Sequence, residues 1–138
     1  MAHAVVSEDL DAAEDRLWRV VADFGDVRWI PGGEAARTEG SGPGMVRIIG
    51  APGAEIRERL QSRDDGTRTI VYTIPRGLPL PITGYRATMT VRAASPGRSV
   101  LEWSCTFTPA GVPEDEARAQ VENLYRMMIG WIRDYLAR

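Results

Sequence analysis

The chain has 138 residues, of which 43% are hydrophobic and 26% charged, and its formal net charge at pH 7 is −2. This length predicts one domain, spanning residues 1–138, that can bury a core without disulfide or metal support. The near-zero net charge excludes a strong overall attraction to nucleic acid. No run reaches the roughly 18 apolar residues that a membrane span requires.

Metal and cofactor chemistry is restricted by the residue types present. Cys105 is the only cysteine, so an intramolecular disulfide is excluded, and His3 is the only histidine, so a site of several histidines is impossible. No HExxH, CxxC or P-loop pattern occurs. We therefore expect no cofactor and no metal. The first residues lack the basic start and apolar stretch of a signal peptide, which predicts a cytoplasmic protein.

The N-terminal part of the chain predicts a strand followed by a helix. Residues 3–7 fit a short first strand. Apolar residues at helical spacing then predict a helix over 10–23, with Asp9 or Asp11 capping its start. A short connection follows, in which Pro31 and the glycines after it forbid a long helix.

The apolar period then changes to two, which predicts an antiparallel meander. Turns that contain glycine or proline separate the strand-like runs, and short turns of this kind connect antiparallel neighbours. The predicted strands are residues 34–39, 44–50, 54–63, 68–75, 83–94 and 98–108.

The C-terminal region predicts the longest helix, from Pro113 in its first turn to about residue 137. The acidic residues at 114–116 complement the positive end of the helix dipole. A sheet with one apolar face and an amphipathic helix must cover each other, so the predicted fold class is α+β. The predicted apolar stripe of the helix is Ala117, Val121, Leu124, Met128, Trp131 and Tyr135.

Strand alternation places two charges among apolar residues. Glu58 shares a strand face with Ile56 and Leu60. If the hairpin turns at Pro52–Gly53, Arg47 lies directly opposite Glu58, at the roughly 4.5–5.5 Å Cβ separation of cross-strand neighbours. Two interpretations remain open. A solvated pair at the rim of the sheet would contribute about 0–1 kcal/mol, whereas a pair inside an apolar concavity is weak evidence for stability and favours a functional role.

The predicted inner face of the sheet also carries Tyr72, Tyr85, Met89 and Trp103. A tyrosine hydroxyl inside a concavity needs a hydrogen-bond partner, either water or a ligand. Methionine side chains adapt to a forgiving pocket. Plain core packing explains the same residues equally well. Cys105 lies on this face too, which predicts a packed, unreactive thiol.

Five segments spread along the chain share a pattern with a known superfamily. They are residues 22–32 (ADFGDVRWIPG), 42–47 (GPGMVR), 56–60 (IRERL), 80–85 (LPITGY) and 101–107 (LEWSCTF). Their order and spacing resemble the polyketide cyclase/dehydrase-like (SRPBCC) branch of the START-like, helix-grip superfamily. The resemblance implies a curved antiparallel sheet of about seven strands around a long C-terminal helix, short helices after the first strand, and a ligand cavity between sheet and helix. The matching positions that would line the cavity are Trp29, Arg47, Glu58, Tyr85 and Trp103.

The first functional hypothesis is a binding protein for a hydrophobic or amphipathic small molecule, such as a polyketide, aromatic or lipid-like metabolite. Its pocket would be about 300–1,000 Å³, mostly apolar with few polar groups. The candidate ligand-binding residues are Trp29, Arg47, Glu58, Tyr72, Tyr85, Met89, Trp103, Leu124 and Met128.

Two alternatives remain open. In a cyclase- or dehydratase-type enzyme, Glu58 would move protons, Arg47 would hold a carbonyl or enolate oxygen and Tyr85 would assist. In a partner-binding or assembly module, the exposed arginines of 54–63 and 83–94 would form the contact. We expect the chain to be a monomer or a homodimer.

Overall fold

Seven antiparallel strands and two α-helices make up the fold in the computed structural model, which describes all 138 residues. The helices are α1 (Glu14–Ala22) and α2 (Glu114–Leu136), and a short 3-10 helix covers Gly33–Ala35. The strands are β1 (Ala2–Leu10), β2 (Arg37–Glu39), β3 (Val46–Ile49), β4 (Ile56–Asp64), β5 (Thr69–Arg76), β6 (Ile82–Ser95) and β7 (Arg98–Pro109).

The strands form one sheet in the order β1-β7-β6-β5-β4-β3-β2. Neighbours from β2 to β7 follow the chain order, so this part is the predicted meander, and β1 closes the sheet against β7. Register shifts interrupt the β4–β5 and β6–β7 ladders, and such irregularities bend strands and increase their twist. The predicted fold, a curved sheet that grips a C-terminal helix, is confirmed.

The first two elements differ from the prediction in their boundaries. β1 continues to Leu10 because it pairs with β7 along its whole length. α1 therefore begins at Glu14 rather than at residue 10. Its N-cap is Ala13, with no side-chain hydrogen bond, so the predicted capping by Asp9 or Asp11 is wrong.

The strand predicted over residues 34–39 is also shorter than expected. Residues Gly33–Ala35 turn as a 3-10 helix, which leaves only Arg37–Glu39 to pair with β3. Gly33 makes that turn possible, because a Cβ there would lie 1.8 Å from the carbonyl oxygen of Val27. Within the connection between α1 and β2, the 3-10 turn therefore packs directly against the backbone of Val27.

The core is one cluster of 30 buried apolar residues, and α2 supplies one wall of it. The helix buries Ala117, Val121, Tyr125, Ile129, Ile132 and Leu136. The predicted stripe is correct at Ala117 and Val121 and then lies one residue off, since Leu124, Met128, Trp131 and Tyr135 are only partly buried. Two apolar stripes run side by side along this helix, about 100° apart, and the sheet contacts the second. Neither helix is both long and apolar enough to cross a membrane.

Candidate functional site

The β3–β4 hairpin sets the position of the two buried charges. Its turn is closed by a hydrogen bond from the Ala54 amide to the Ala51 carbonyl, with Pro52 and Gly53 in the middle. Gly53 has a φ of 86°, which favours glycine at the third position of a type II turn after a proline. This turn places Arg47 opposite Glu58 in the ladder, so the predicted register is confirmed.

Arg47 and Glu58 form an ion pair within the interior of the fold. Nε of Arg47 donates to Oε1 of Glu58 at 2.5 Å, and the two side chains are only 5% and 12% exposed. Nη1 of Arg47 donates to the carbonyl oxygen of Phe24 at 3.1 Å. The Arg47 guanidinium also lies 3.9 Å from the ring centroid of Phe24 and 5.4 Å from that of Tyr72. The pair is thus held between aromatic rings, away from the solvated rim.

Beside the ion pair, the polar atoms of three tyrosines and one tryptophan form a row of hydrogen bonds. Nε1 of Trp103 donates to the Tyr72 hydroxyl at 3.0 Å, and the Tyr72 and Tyr85 hydroxyls are 3.5 Å apart. The Tyr85 hydroxyl makes a short hydrogen bond with that of Tyr125. The Trp103 ring stacks on the Tyr125 ring at a centroid distance of 4.9 Å. We call Tyr72, Tyr85, Trp103 and Tyr125 the aromatic cluster.

Burial keeps the phenols of this cluster in their protonated form. Desolvation raises the pKa of Tyr72, Tyr85 and Tyr125 above its ordinary value. The negative charge of Glu58 raises the pKa of Tyr72 further, and the positive charge of Arg47 opposes it. The three hydroxyls are therefore neutral donors at physiological pH. Burial likewise raises the pKa of the Cys105 thiol, as expected for a packed cysteine.

The remaining predicted residues fall into two groups. Met89 and Trp29 are buried with the aromatic cluster, Met89 directly opposite Trp103 in the sheet and Trp29 edge-on to the Trp103 ring at 6.3 Å. Leu124 and Met128 lie on the partly exposed side of α2. Met128 still packs against the core.

Two residues of the site were not among those predicted from the sequence. The backbone carbonyl of Phe24 accepts a hydrogen bond from Arg47, and the Phe24 ring covers the Arg47 guanidinium. Tyr125 adds the third hydroxyl of the aromatic cluster. The signal for Tyr125 was its position beside the predicted stripe of the helix. Phe24 belongs to the apolar pattern around the first helix, but only the folded chain shows that it meets β3.

Five of the cavities on the surface have volumes of about 110 to 610 Å³. None of them is lined by Arg47, Glu58 or a member of the aromatic cluster. Trp29 is the one candidate residue that lines any of them; it borders two, of about 110 and 280 Å³. Side chains bury the ion pair almost completely, and Trp29 lies between two of these surface cavities and Trp103.

Several solved structures share this fold. A Bacillus thuringiensis protein is 28% identical, with a TM-score of 0.84, over 99% of this chain and 100% of its own. A Thermobifida fusca protein is 31% identical, with a TM-score of 0.75, over 91% of this chain and 83% of its own. The di-domain ARO/CYC BexL from the BE-7585A biosynthetic pathway is 16% identical, with a TM-score of 0.74, over 99% of this chain and 47% of its own, a likeness of fold alone.

A family model identifies the family of the chain. No curated protein matches the chain. The model of one family, described as polyketide cyclase / dehydrase and lipid transport, matches residues 1–136. The resemblance to the START-like, helix-grip superfamily is thereby confirmed, and the chain belongs to the polyketide cyclase/dehydrase and lipid transport family.

Proposed function

We propose that this protein binds a hydrophobic or amphipathic small molecule, such as a polyketide, aromatic or lipid-like metabolite, between the sheet and α2. The polar end of the ligand would lie at Arg47 and Glu58. The observation that carries this proposal is the burial of that ion pair on the concave side of the sheet. Replacing a buried ion pair by apolar residues is often neutral or stabilising, so stability alone does not account for it.

The surroundings of the pair have the composition of a ligand site. Small-molecule sites are mostly apolar and contain a few fixed polar groups. Here Phe24, Met89 and the rings of the aromatic cluster provide apolar surface, and the ion pair and the phenols provide polar groups. Met89 can also change its shape with little cost, because its side chain is unbranched.

A ligand would have to displace side chains in order to reach the pair, since the Arg47 and Glu58 side chains are only 5% and 12% exposed. Trp29 marks one such route, because it borders two cavities and its ring lies edge-on to that of Trp103. Rearrangements of side chains on binding are common. We therefore propose entry at Trp29, beside Trp131 and Tyr135 of α2, which line the same two cavities.

Native mass spectrometry of freshly purified protein tests the proposal, together with melting-temperature shifts across a metabolite library. We expect an apolar molecule to co-purify or a subset of apolar compounds to raise the melting temperature. The double variant Arg47→Met/Glu58→Leu should lose this response. The matched control Arg92→Gln/Glu102→Gln, an exposed pair 3.8 Å apart, should keep it. An unchanged response in the Arg47/Glu58 variant would contradict the placement, and a library without any hit would contradict the function.

A catalytic use of the same site is the second candidate. It is favoured by the contact of a buried carboxylate with a guanidinium, since Glu58 can move a proton while Arg47 stabilises a developing oxyanion. Tyr85 reaches the pair only through Tyr72 and would act indirectly. Glu58→Gln should then abolish turnover of an identified ligand and preserve its binding. Unchanged turnover would exclude this mechanism.

The exposed arginines give less support to an assembly module. Arg57 lies 3.5 Å from Glu39, and Arg92 lies 3.8 Å from Glu102, so acidic neighbours already compensate part of this charge. We therefore do not propose a docking surface on the outer face of the sheet.

A further inference from the structure

Arg47 and Glu58 each keep one polar atom without a partner in the protein. Arg47 uses Nε for Glu58 and Nη1 for the Phe24 carbonyl, whereas its Nη2 donates no hydrogen bond. Glu58 accepts at Oε1 only, so Oε2 is free. Neither atom is among the fully buried polar atoms that lack a hydrogen-bond partner, so both keep some contact with solvent. A donor and an acceptor of the pair are thus available to a ligand that bonds to both in place of water.

The charge of the pair also limits what such a ligand can be. Arg47 and Glu58 are the only charged residues among the buried ones. The positive charge of Arg47 is therefore already compensated, and no second buried cation is available. A carboxylate at the pair would be attracted by Arg47 and repelled by Glu58 at similar distances. The cost of removing that carboxylate from water would then go uncompensated.

We infer that the ligand's polar end is neutral and carries an adjacent hydrogen-bond acceptor and donor, as in a primary amide, an enol or a hydroxy ketone. Its acceptor would receive a hydrogen bond from Nη2 of Arg47, and its donor would bond to Oε2 of Glu58. This inference rests on the proposed function and narrows it. It distinguishes neutral polar ligands from fatty acids and other carboxylates that have the same apolar body.

Two pairs of probes, matched in apolar body and different in charge, test the inference on the unmodified protein. The pairs are 2-naphthamide with 2-naphthoate and dodecanamide with dodecanoate, titrated at pH 7 by isothermal calorimetry. We expect the amide to bind at least about tenfold more tightly than its carboxylate, since like charges brought together in a binding site are strongly disfavoured. Equal or tighter binding of the carboxylate would overturn the inference and leave the proposed function standing. Failure of all four probes to bind would count against the proposed function itself, and the inference would fall with it.

Glu58→Gln provides the second arm of the experiment. It frees the charge of Arg47, so we expect the preference to shift at least about tenfold toward the carboxylate. Glu102→Gln changes the net charge equally but lies on the outer face of the sheet, where Glu102 is 3.8 Å from Arg92, and should leave the preference unchanged. A preference that does not change in Glu58→Gln, or that changes equally in Glu102→Gln, would contradict the inference. If Glu58→Gln does not fold, the wild-type comparison decides alone.

Discussion

Arg47 of β3 and Glu58 of β4 face each other directly across a hairpin and form the one ion pair whose two residues are both buried. The local sequence sets their register, since the turn at Pro52–Gly53 aligns the two strands. Their burial, by contrast, comes from distant parts of the chain. Phe24, which follows α1, and Tyr72 of β5 cover the guanidinium. The hairpin thus sets the register of the pair, and contacts from distant segments of the chain bury it.

Breaking this pair should cost much more than removing it. Arg47→Met or Glu58→Leu alone leaves a buried charge without its partner, and we expect each to lower the free energy of unfolding by about 3–5 kcal/mol. The double variant Arg47→Met/Glu58→Leu should stay within about 1–2 kcal/mol of the wild type, because both charges are removed together. Urea denaturation of the four proteins gives the coupling energy of the pair.

The exposed pair Arg92 and Glu102 is the matched control for that cycle. Its side chains are 52% and 42% exposed, so we expect a coupling energy of about 0–1 kcal/mol. If the losses at Arg47 and Glu58 simply add in the double variant, the coupling energy is as small as that of the control pair. This result would show that the buried pair is not coupled in solution.

The row of tyrosine hydroxyls should behave as a coupled network. Tyr85→Phe removes the central hydroxyl, which contacts Tyr72 and Tyr125, and we expect a loss of about 1–3 kcal/mol in the free energy of unfolding. Tyr125→Phe should cost a similar amount. The double variant should cost less than the sum, because the first substitution already breaks the shared hydrogen bond. A double-mutant cycle by thermal or urea denaturation measures this, with the partly exposed Tyr135→Phe as control; strict additivity would exclude the coupling.

The same buried phenols predict alkaline unfolding. Burial raises the pKa of Tyr72, Tyr85 and Tyr125 in the folded state, so the unfolded state loses these protons first, at about pH 10. Stability is therefore complete below that pH and falls above it, by about 1.4 kcal/mol per pH unit for each tyrosine. Denaturation curves between pH 8 and 12 should show this decline, and Tyr85→Phe should reduce its slope. Phenolate absorbance from all three residues while the circular dichroism remains native would contradict it.

The site was predictable where a local rule applied. Alternation along β5, β6 and β7 gives the inner positions of Tyr72, Tyr85 and Trp103, and the turn gives the Arg47–Glu58 register. Phe24 was not predictable, because its contact with Arg47 joins segments that are distant in sequence. Whether side chains fill the space between sheet and helix was not predictable either, since this depends on how all of them pack together.

The face of α2 shows another limit of the sequence. Leu124, Met128 and Trp131 form an apolar stripe as regular as that of Tyr125, Ile129 and Ile132. Periodicity alone does not distinguish two apolar stripes that are about 100° apart. The sheet distinguishes them, because the Tyr125 ring stacks on Trp103 and its hydroxyl bonds to Tyr85.

Alanine substitutions on α2 test this orientation and the proposed ligand contacts together. Ile129 is fully buried, so Ile129→Ala should cost about 2–5 kcal/mol in the free energy of unfolding. Leu124 is only partly buried, so Leu124→Ala should cost less than about 1 kcal/mol. If Leu124 contacts the ligand, as expected from the sequence, the same substitution should weaken ligand binding at nearly unchanged stability. Urea denaturation and melting-temperature shifts with a bound compound measure the two effects separately, and a larger loss of stability at Leu124 than at Ile129 would place the helix in the other orientation.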